Sequence, residues 1–150
     1  MAYRLGKSSL KYLGTVKPVL QNVIMEAIHH TTVDFGVIEG IRSIARQRQL
    51  VASGASQTMA SKHITGDAVD LVAYIGSHID WSATLYDNIA DAVKTAGQML
   101  NVSIRWGGAW NCPNIAEWDG TMQDASNAYV AARREMKKVP FMDYGHFELS

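Results

Sequence analysis

The sequence has a single cysteine, Cys112, and three prolines in 150 residues. One thiol excludes an internal disulfide framework and any cysteine-rich zinc site, which leaves Cys112 as an incidental thiol. Charge of one sign is also missing. Fourteen basic and 14 acidic residues cancel to a formal net charge of zero, so there is no electrostatic footprint of a nucleic-acid-binding protein. No uninterrupted apolar run is long enough for a membrane span, which argues against membrane insertion. The first residues, Met1-Ala-Tyr-Arg-Leu-Gly-Lys, lack the apolar h-region of a signal peptide. There is no internal repeat and no low-complexity tract. What remains is 47% hydrophobic and 19% charged, the profile of a globular chain that can bury a sizeable core. No linker divides residues 1–150, so one domain, acting as a monomer, is expected.

Ser8 or Ser9 is expected to cap a short helix through Leu13, and Pro18 suits the first turn of a second helix. Leu20, Val23, Ile24, Ala27 and Ile28 fall at helical spacing. Asp34 to Arg42 reads as a strand with Phe35, Val37 and Glu39 on one face. Ser43 then caps a helix through Ala52 that carries Arg46 and Arg48. Residues 53–60 read as a loop, Asp67 to Tyr74 as a strand, and Gly76 to Asp80 as a turn. Trp81 to Leu100 is the strongest helix, with Leu85, Ile89, Ala92, Val93, Ala96 and Leu100 in one stripe ended by Asn101. Val102 to Trp106 is a short strand broken by Gly107-Gly108, and Trp110 to Thr121 is irregular. Ser126 to Lys138 reads as a helix with Tyr129 and Val130 inward, stopped by Pro140, and Phe147 and Leu149 close a last strand. The pattern predicts an α+β fold with a small, mostly antiparallel sheet and flanking helices.

The chemistry concentrates in two stretches. Ser61-Lys-His-Ile-Thr-Gly-Asp-Ala-Val-Asp70 sets His63 and Asp70 on either side of the turn residue Gly66. Alternation along the strand puts Ala68, Asp70 and Val72 on one face, so a carboxylate stands among small apolar neighbours and calls for a cation or a strong hydrogen-bond partner. Asp143-Tyr-Gly-His146-Phe-Glu148 again sets a histidine beside carboxylates, with His146 and Glu148 two positions apart on one face. If the two strands lie close, His63, Asp70 and His146 converge. Two imidazoles and one carboxylate form a catalytic zinc set with the fourth position left to water. A general base must stand within reach of that water. Asp143 is the first candidate and Glu148 the second.

Ser61-x-His63-x-x-Gly66-x-Ala68-x-Asp70, followed much later by Asp143-x-x-His146-x-Glu148, resembles the zinc peptidases that cut D-amino-acid-containing peptides of bacterial cell walls. These are the D-Ala-D-Ala carboxypeptidases and dipeptidases and the L-alanyl-D-glutamate endopeptidases, whose phage endolysins look closest. Lys17-Pro18 and the Glu39-Gly-Ile-Arg42 strand end share in the resemblance, which covers Leu5 to Trp110 and Pro140 to the end. It implies a Hedgehog/D,D-peptidase-like fold and one zinc per chain held by His63, Asp70 and His146. It also implies Asp143 as the base, Arg42 as the donor to the substrate carbonyl and oxyanion, and Ser61 near the substrate. Glu148 then orients a ligand. The implied activity is cleavage of the L-alanyl-D-glutamate bond of peptidoglycan stem peptides, causing host lysis. An enzyme without a signal peptide would be made in the host cytoplasm and released to the wall by a holin. Two alternatives remain open: a D,D-carboxypeptidase or dipeptidase with the same site, and a non-catalytic zinc-stabilised binding domain.

Trp106 and Trp110 are candidates to line a wall-peptide groove, against the alternative that they are core. Residues 111–139 match no family motif and read as an insertion near the site. His29 and His30 suit a helix end, and His78 a solvated turn.

Overall fold

In the computed structural model the described residues are 2–150, and Met1, where the reading of the N-terminus begins, lies outside them. The chain runs α1 (Lys7–Leu13), α2 (Pro18–Ala27), β1 (Asp34–Glu39), α3 (Ile44–Ala52), β2 (Ala68–Ile75), β3 (His78–Asp80), α4 (Ala83–Leu100), β4 (Ile104–Trp106), a 3-10 turn (Ile115–Glu117), α5 (Met122–Glu135) and β5 (His146–Leu149). The sheet order is β1-β2-β5-β4, with β3 also on β2, and every pairing is antiparallel. β5 pairs with the first residues of β2 and β3 with its last, so they share one edge of that strand.

The register sorts the two faces. Val69 pairs with Phe147, and Phe147 with Trp106; all three are fully buried. This apolar row belongs to the core that α2 and α4 complete, with Leu20, Val23, Ile24 and Ala27 from the first and Ile89, Val93 and Ala96 from the second. Strand alternation sends the intervening residues to the opposite face. There Glu39, Asp70 and His146 lie side by side across three strands, and the next row holds Ala68, Glu148 and Arg105.

Several boundaries differ from expectation. α1 is capped by Gly6, and Ser9 lies inside it, buried, with its hydroxyl accepting from Val37 N–H at 3.0 Å. Its partner is in another element, which local capping chemistry cannot foresee. Residues 78–80 form β3, the second strand of a hairpin with β2, and not only a turn. Leu100 is exposed, while Tyr86 and Ala90 belong to the buried face of α4. Trp81 precedes that helix and is exposed, with Ser82 at the cap position. α5 begins earlier than Ser126, because Thr121 caps it by accepting from Asp124 N–H, and it ends at Glu135, ahead of Pro140. Ser43 caps α3 as expected, accepting from Arg46 N–H.

Ser9→Ala strands the buried Val37 N–H without a partner. The expected loss of stability is about 1–3 kcal/mol, or several degrees in Tm, measured by denaturant and thermal unfolding. A loss below about 0.5 kcal/mol, the range of an ordinary surface substitution, contradicts this account.

Candidate metal centre

The β2–β5 register sets Asp70 directly opposite His146. The third member arrives on the turn before β2. Gly66 takes φ +77° there, a left-handed conformation that costs glycine little. The turn is tied down on several sides. Ser61 Oγ accepts from His63 N–H at 3.2 Å, Lys17 N–H donates to Gly66 O at 2.9 Å, and Arg42 N–H donates to His63 O at 2.9 Å. Lys17 also pairs with Asp67 at 2.8 Å. The start of α2 and the end of β1 thereby hold the His63 loop in place, and His63 itself is 1% exposed.

His63, Asp70 and His146 each offer one ligand atom, and these atoms all lie within 4.8 Å of one another. The outer nitrogen of each ring is occupied. His63 Nδ1 is 2.8 Å from Gly40 O, and His146 Nε2 is 2.8 Å from Glu148 Oε1. Both partners are acceptors, so both outer nitrogens carry the proton and the inner ones present lone pairs. His63 Nε2 and His146 Nδ1 then face each other at 3.2 Å, with Asp70 Oδ1 at 3.1 Å from the first and 3.4 Å from the second. Two lone pairs and a carboxylate directed at one point repel unless a proton or a metal cation lies between them. The donor set therefore fits a metal ion, and the outer-nitrogen bonds are the kind that orient metal-binding histidines.

Without a metal, protons meet the same demand. Burial opposes ionisation of Asp70, but hydrogen bonds from His146 and His63 hold it well below the usual carboxylate range. Burial likewise opposes charging His146, yet Asp70 and Glu148 on either side push its pKa up to about 9. Asp143 behaves in the opposite way. Burial and then the Asp70 charge raise its pKa above the ordinary value, against the pull of His146, His63 and Arg42. Its Oδ2 stands 3.9 Å from His146 Nδ1. The backbone places it closely: Asp143 N–H donates to Gly107 O, Gly107 N–H donates to His146 O, both at 2.9 Å, and a methyl group at Gly107 would stand 2.0 Å from Asp143 O.

Arg42 is almost wholly engaged. Its Nε and Nη2 grip Glu39 at 2.7 and 2.8 Å, Nη1 donates to Gln47 at 2.7 Å, and Nη2 reaches Asp70 Oδ2 at 3.3 Å. Gln47, fully buried, passes the connection on to Ser56 Oγ and Thr58 O. Neither Glu39 nor Gln47 stands out in the sequence as a support of Arg42. Their signal is weak: an acid three residues before an arginine, and a glutamine on the inner face of a short helix.

A cavity of about 600 Å³ opens over these groups. Ser61, Trp110, Asp143 and Glu148 line it, as do Tyr129, Arg133 and Phe141. Trp110 lies 5.3 Å from the His146 ring and stacks on Phe141 at 6.2 Å. Trp106 is not on the wall. It is fully buried, and its N–H donates to Tyr144 O at 2.7 Å. Alternation is the reason: on β4 the residue facing the site is Arg105, opposite Glu148, and its neighbour Trp106 points into the core. His29 and His30 follow α2, and His78 is exposed on β3. None of the three joins the cluster or lines the cavity above it.

Residues 1–150 match the family model described as phage L-alanyl-D-glutamate peptidase. The L-alanyl-D-glutamate peptidase of Escherichia phage T5 is 40% identical over 115 residues, covering 74% of this chain and 84% of that protein. The L-alanyl-D-glutamate peptidase of Listeria phage A118 is 37% identical over 75 residues, half of this chain and 26% of that longer protein. The crystal structure of the Serratia marcescens L-Ala D-Glu endopeptidase ChiX superposes with a TM-score of 0.73 at 33% identity, covering 98% of this chain and 90% of that one.

The metal-free protein should lose stability on the alkaline side. The folded-state pKa of His146, about 9, lies above its ordinary 6.5. Its contribution is therefore complete below pH 6.5 and disappears as pH rises through about 9. The Tm of metal-stripped protein should fall across that window. Zinc-loaded protein should show no such fall, since metal binding displaces these protons. A flat Tm in the stripped protein contradicts the account.

Proposed function

This chain belongs to the phage L-alanyl-D-glutamate peptidase family, and from that premise we propose a zinc-dependent peptidoglycan hydrolase that cuts the L-alanyl-D-glutamate bond of stem peptides. The observation that carries the reading is the convergence of His63, Asp70 and His146 beneath an open cavity, with Asp143 beside them. His63 Nε2, Asp70 Oδ1 and His146 Nδ1 would hold one zinc ion. Two imidazoles and a carboxylate, without cysteine, are the donors of catalytic rather than structural zinc sites. When bound, zinc supplies Lewis-acid polarisation of an amide carbonyl and makes a water molecule more acidic.

The chain's own residues do the rest. Asp143 accepts a proton from the attacking water at its carboxylate and returns it to the leaving nitrogen. Its raised pKa suits that exchange. Glu148 keeps the proton on His146 Nε2, and Gly40 O keeps the proton on His63 Nδ1, so neither ring turns its lone pair away. Arg42 holds Asp70 in place and retains one N–H of Nη1 outside its bonds to Glu39, Gln47 and Asp70. That donor is free for the developing oxyanion. Ser61 braces the His63 loop. Trp110 and Phe141 exclude water from one side. Tyr129 and Arg133 bring residues 111–139 to the cavity wall, and we read that segment as the cap of the groove within one catalytic domain. The protein acts as a monomer on the cell wall, after release from the host cytoplasm.

Mass spectrometry of digested peptidoglycan should show new termini at the L-alanyl-D-glutamate bond, with activity lost on chelation and restored by zinc. New termini only at D-alanine would instead support the carboxypeptidase reading. Asp143→Asn should keep its fold and zinc and lose turnover by about 100- to 10,000-fold. Glu148→Gln should weaken zinc retention more than the chemical step. A zinc-loaded Asp143→Asn protein with near-parental turnover removes Asp143 from the base role. Arg42→Ala should cost about 100- to 1,000-fold. Arg42→Lys should not recover it, because lysine cannot reproduce the fork on Glu39.

A further inference from the structure

Apart from Asp143, the carboxylates of the cavity are already engaged. Glu39 takes the fork of Arg42, and Asp70 lies among His63, His146 and Arg42. Glu148 accepts from His146 and faces Lys62 at 3.6 Å. Two arginines on the same wall, Arg105 and Arg133, have no carboxylate oxygen within 4.0 Å among the described residues. Formal charge on the lining balances, four acids against four lysines and arginines, yet these two guanidiniums have no carboxylate partner within that distance.

The two arginines are held differently. Arg133, on α5, donates to the carbonyl of Val139 at 3.3 and 3.1 Å, and Val139 is 83% exposed. Arg105 is built into the sheet, on β4 opposite Glu148. Its Nε and Nη2 both donate to Trp110 O, at 2.8 and 2.6 Å, and its guanidinium carbon lies 5.1 Å from the Trp110 ring centre. The Trp110 ring in turn lies 5.3 Å from that of His146. A single indole therefore separates a fixed guanidinium from the His63, Asp70 and His146 cluster, and its Nη1 makes no hydrogen bond among the described residues.

Glutamate has two carboxyl groups, and the peptide continues through one of them at most. The residue on the leaving side of an L-alanyl-D-glutamate bond therefore carries at least one further carboxyl group, a few bonds from the nitrogen released. We infer that Arg105 binds this carboxylate and is a specificity-determining residue for the reaction, an inference that rests on the activity proposed above. The bonds to Trp110 O fix the guanidinium plane before substrate arrives, so little side-chain freedom is lost on binding. A charge-assisted hydrogen bond to the carboxylate then selects it over its neutral amide.

The test compares two synthetic stem peptides, one with the glutamyl carboxylate free and one with it converted to a carboxamide. Cleavage is followed by mass spectrometry with zinc content verified. The zinc-loaded wild-type protein should prefer the carboxylate by about 10- to 100-fold in kcat/KM, the range of one hydrogen bond to a charged group. Arg105→Gln should remove most of that preference, chiefly through KM. Arg105→Lys, which keeps the charge but loses the fork, should fall between, and also serves if the glutamine variant does not fold. Arg133→Gln should leave the preference intact. A wild-type enzyme indifferent to the carboxylate overturns the inference, as does a preference that survives Arg105→Gln or vanishes with Arg133→Gln. Equal losses on both peptides also overturn it, since they mark a purely structural role at Trp110. If the wild-type protein leaves the L-alanyl-D-glutamate bond intact in both peptides, the proposed activity itself fails, a result distinct from the others.

Discussion

Two imidazole lone pairs face each other across 3.2 Å, with a carboxylate oxygen at their side. That arrangement is unfavourable by itself, and much of the surrounding structure exists to impose it. Gly40 O and Glu148 hold the outer ring nitrogens, so neither ring can relieve the repulsion by changing tautomer. Arg42 fixes the other oxygen of Asp70 and is itself clamped by Glu39 and Gln47. A cation placed among the three donors turns the conflict into coordination. The alternative is a captured proton, and the elevated pKa of His146 expresses it.

The sheet makes this possible by separating its two faces. The Val69, Phe147 and Trp106 row fills the core together with α2 and α4, while the Asp70, His146 and Glu148 face is left for chemistry. The separation depends on register, because a slip of one residue would exchange the faces. Contacts of backbone on backbone protect it at the entry to β5. A methyl group at Gly145 would stand 2.3 Å from Leu71 O, and one at Gly107 would stand 2.0 Å from Asp143 O. These approaches bring Asp143 next to the cluster without making it part of the three-membered set.

What the sequence disclosed was local. The two-residue spacing of His146 and Glu148, the Gly66 turn before Asp70, Pro18 at the start of α2 and the Ser43 cap all follow from short-range rules, and the structure has each of them. Non-local relations were hidden. Ser9 serves the Val37 amide rather than its own helix. Arg42 reaches across to Asp70, 28 positions away. Trp106, a candidate for the groove wall, points into the core and its neighbour Arg105 faces the cavity, because one residue of strand parity decides between them. The start of α5 was available to sequence reasoning, since Thr121 stands three residues before Asp124 in the pattern of a capped helix.

The central claim is that the point between these three residues is a zinc site. Anomalous X-ray diffraction at the zinc edge, on crystals of protein purified without chelator and supplied with zinc, tests it most directly. The account predicts a single strong peak bounded by His63 Nε2, His146 Nδ1 and Asp70 Oδ1, with both imidazoles keeping their outer bonds to Gly40 and Glu148. An active, zinc-supplied protein with no peak at that point, or with its peak elsewhere, contradicts the account.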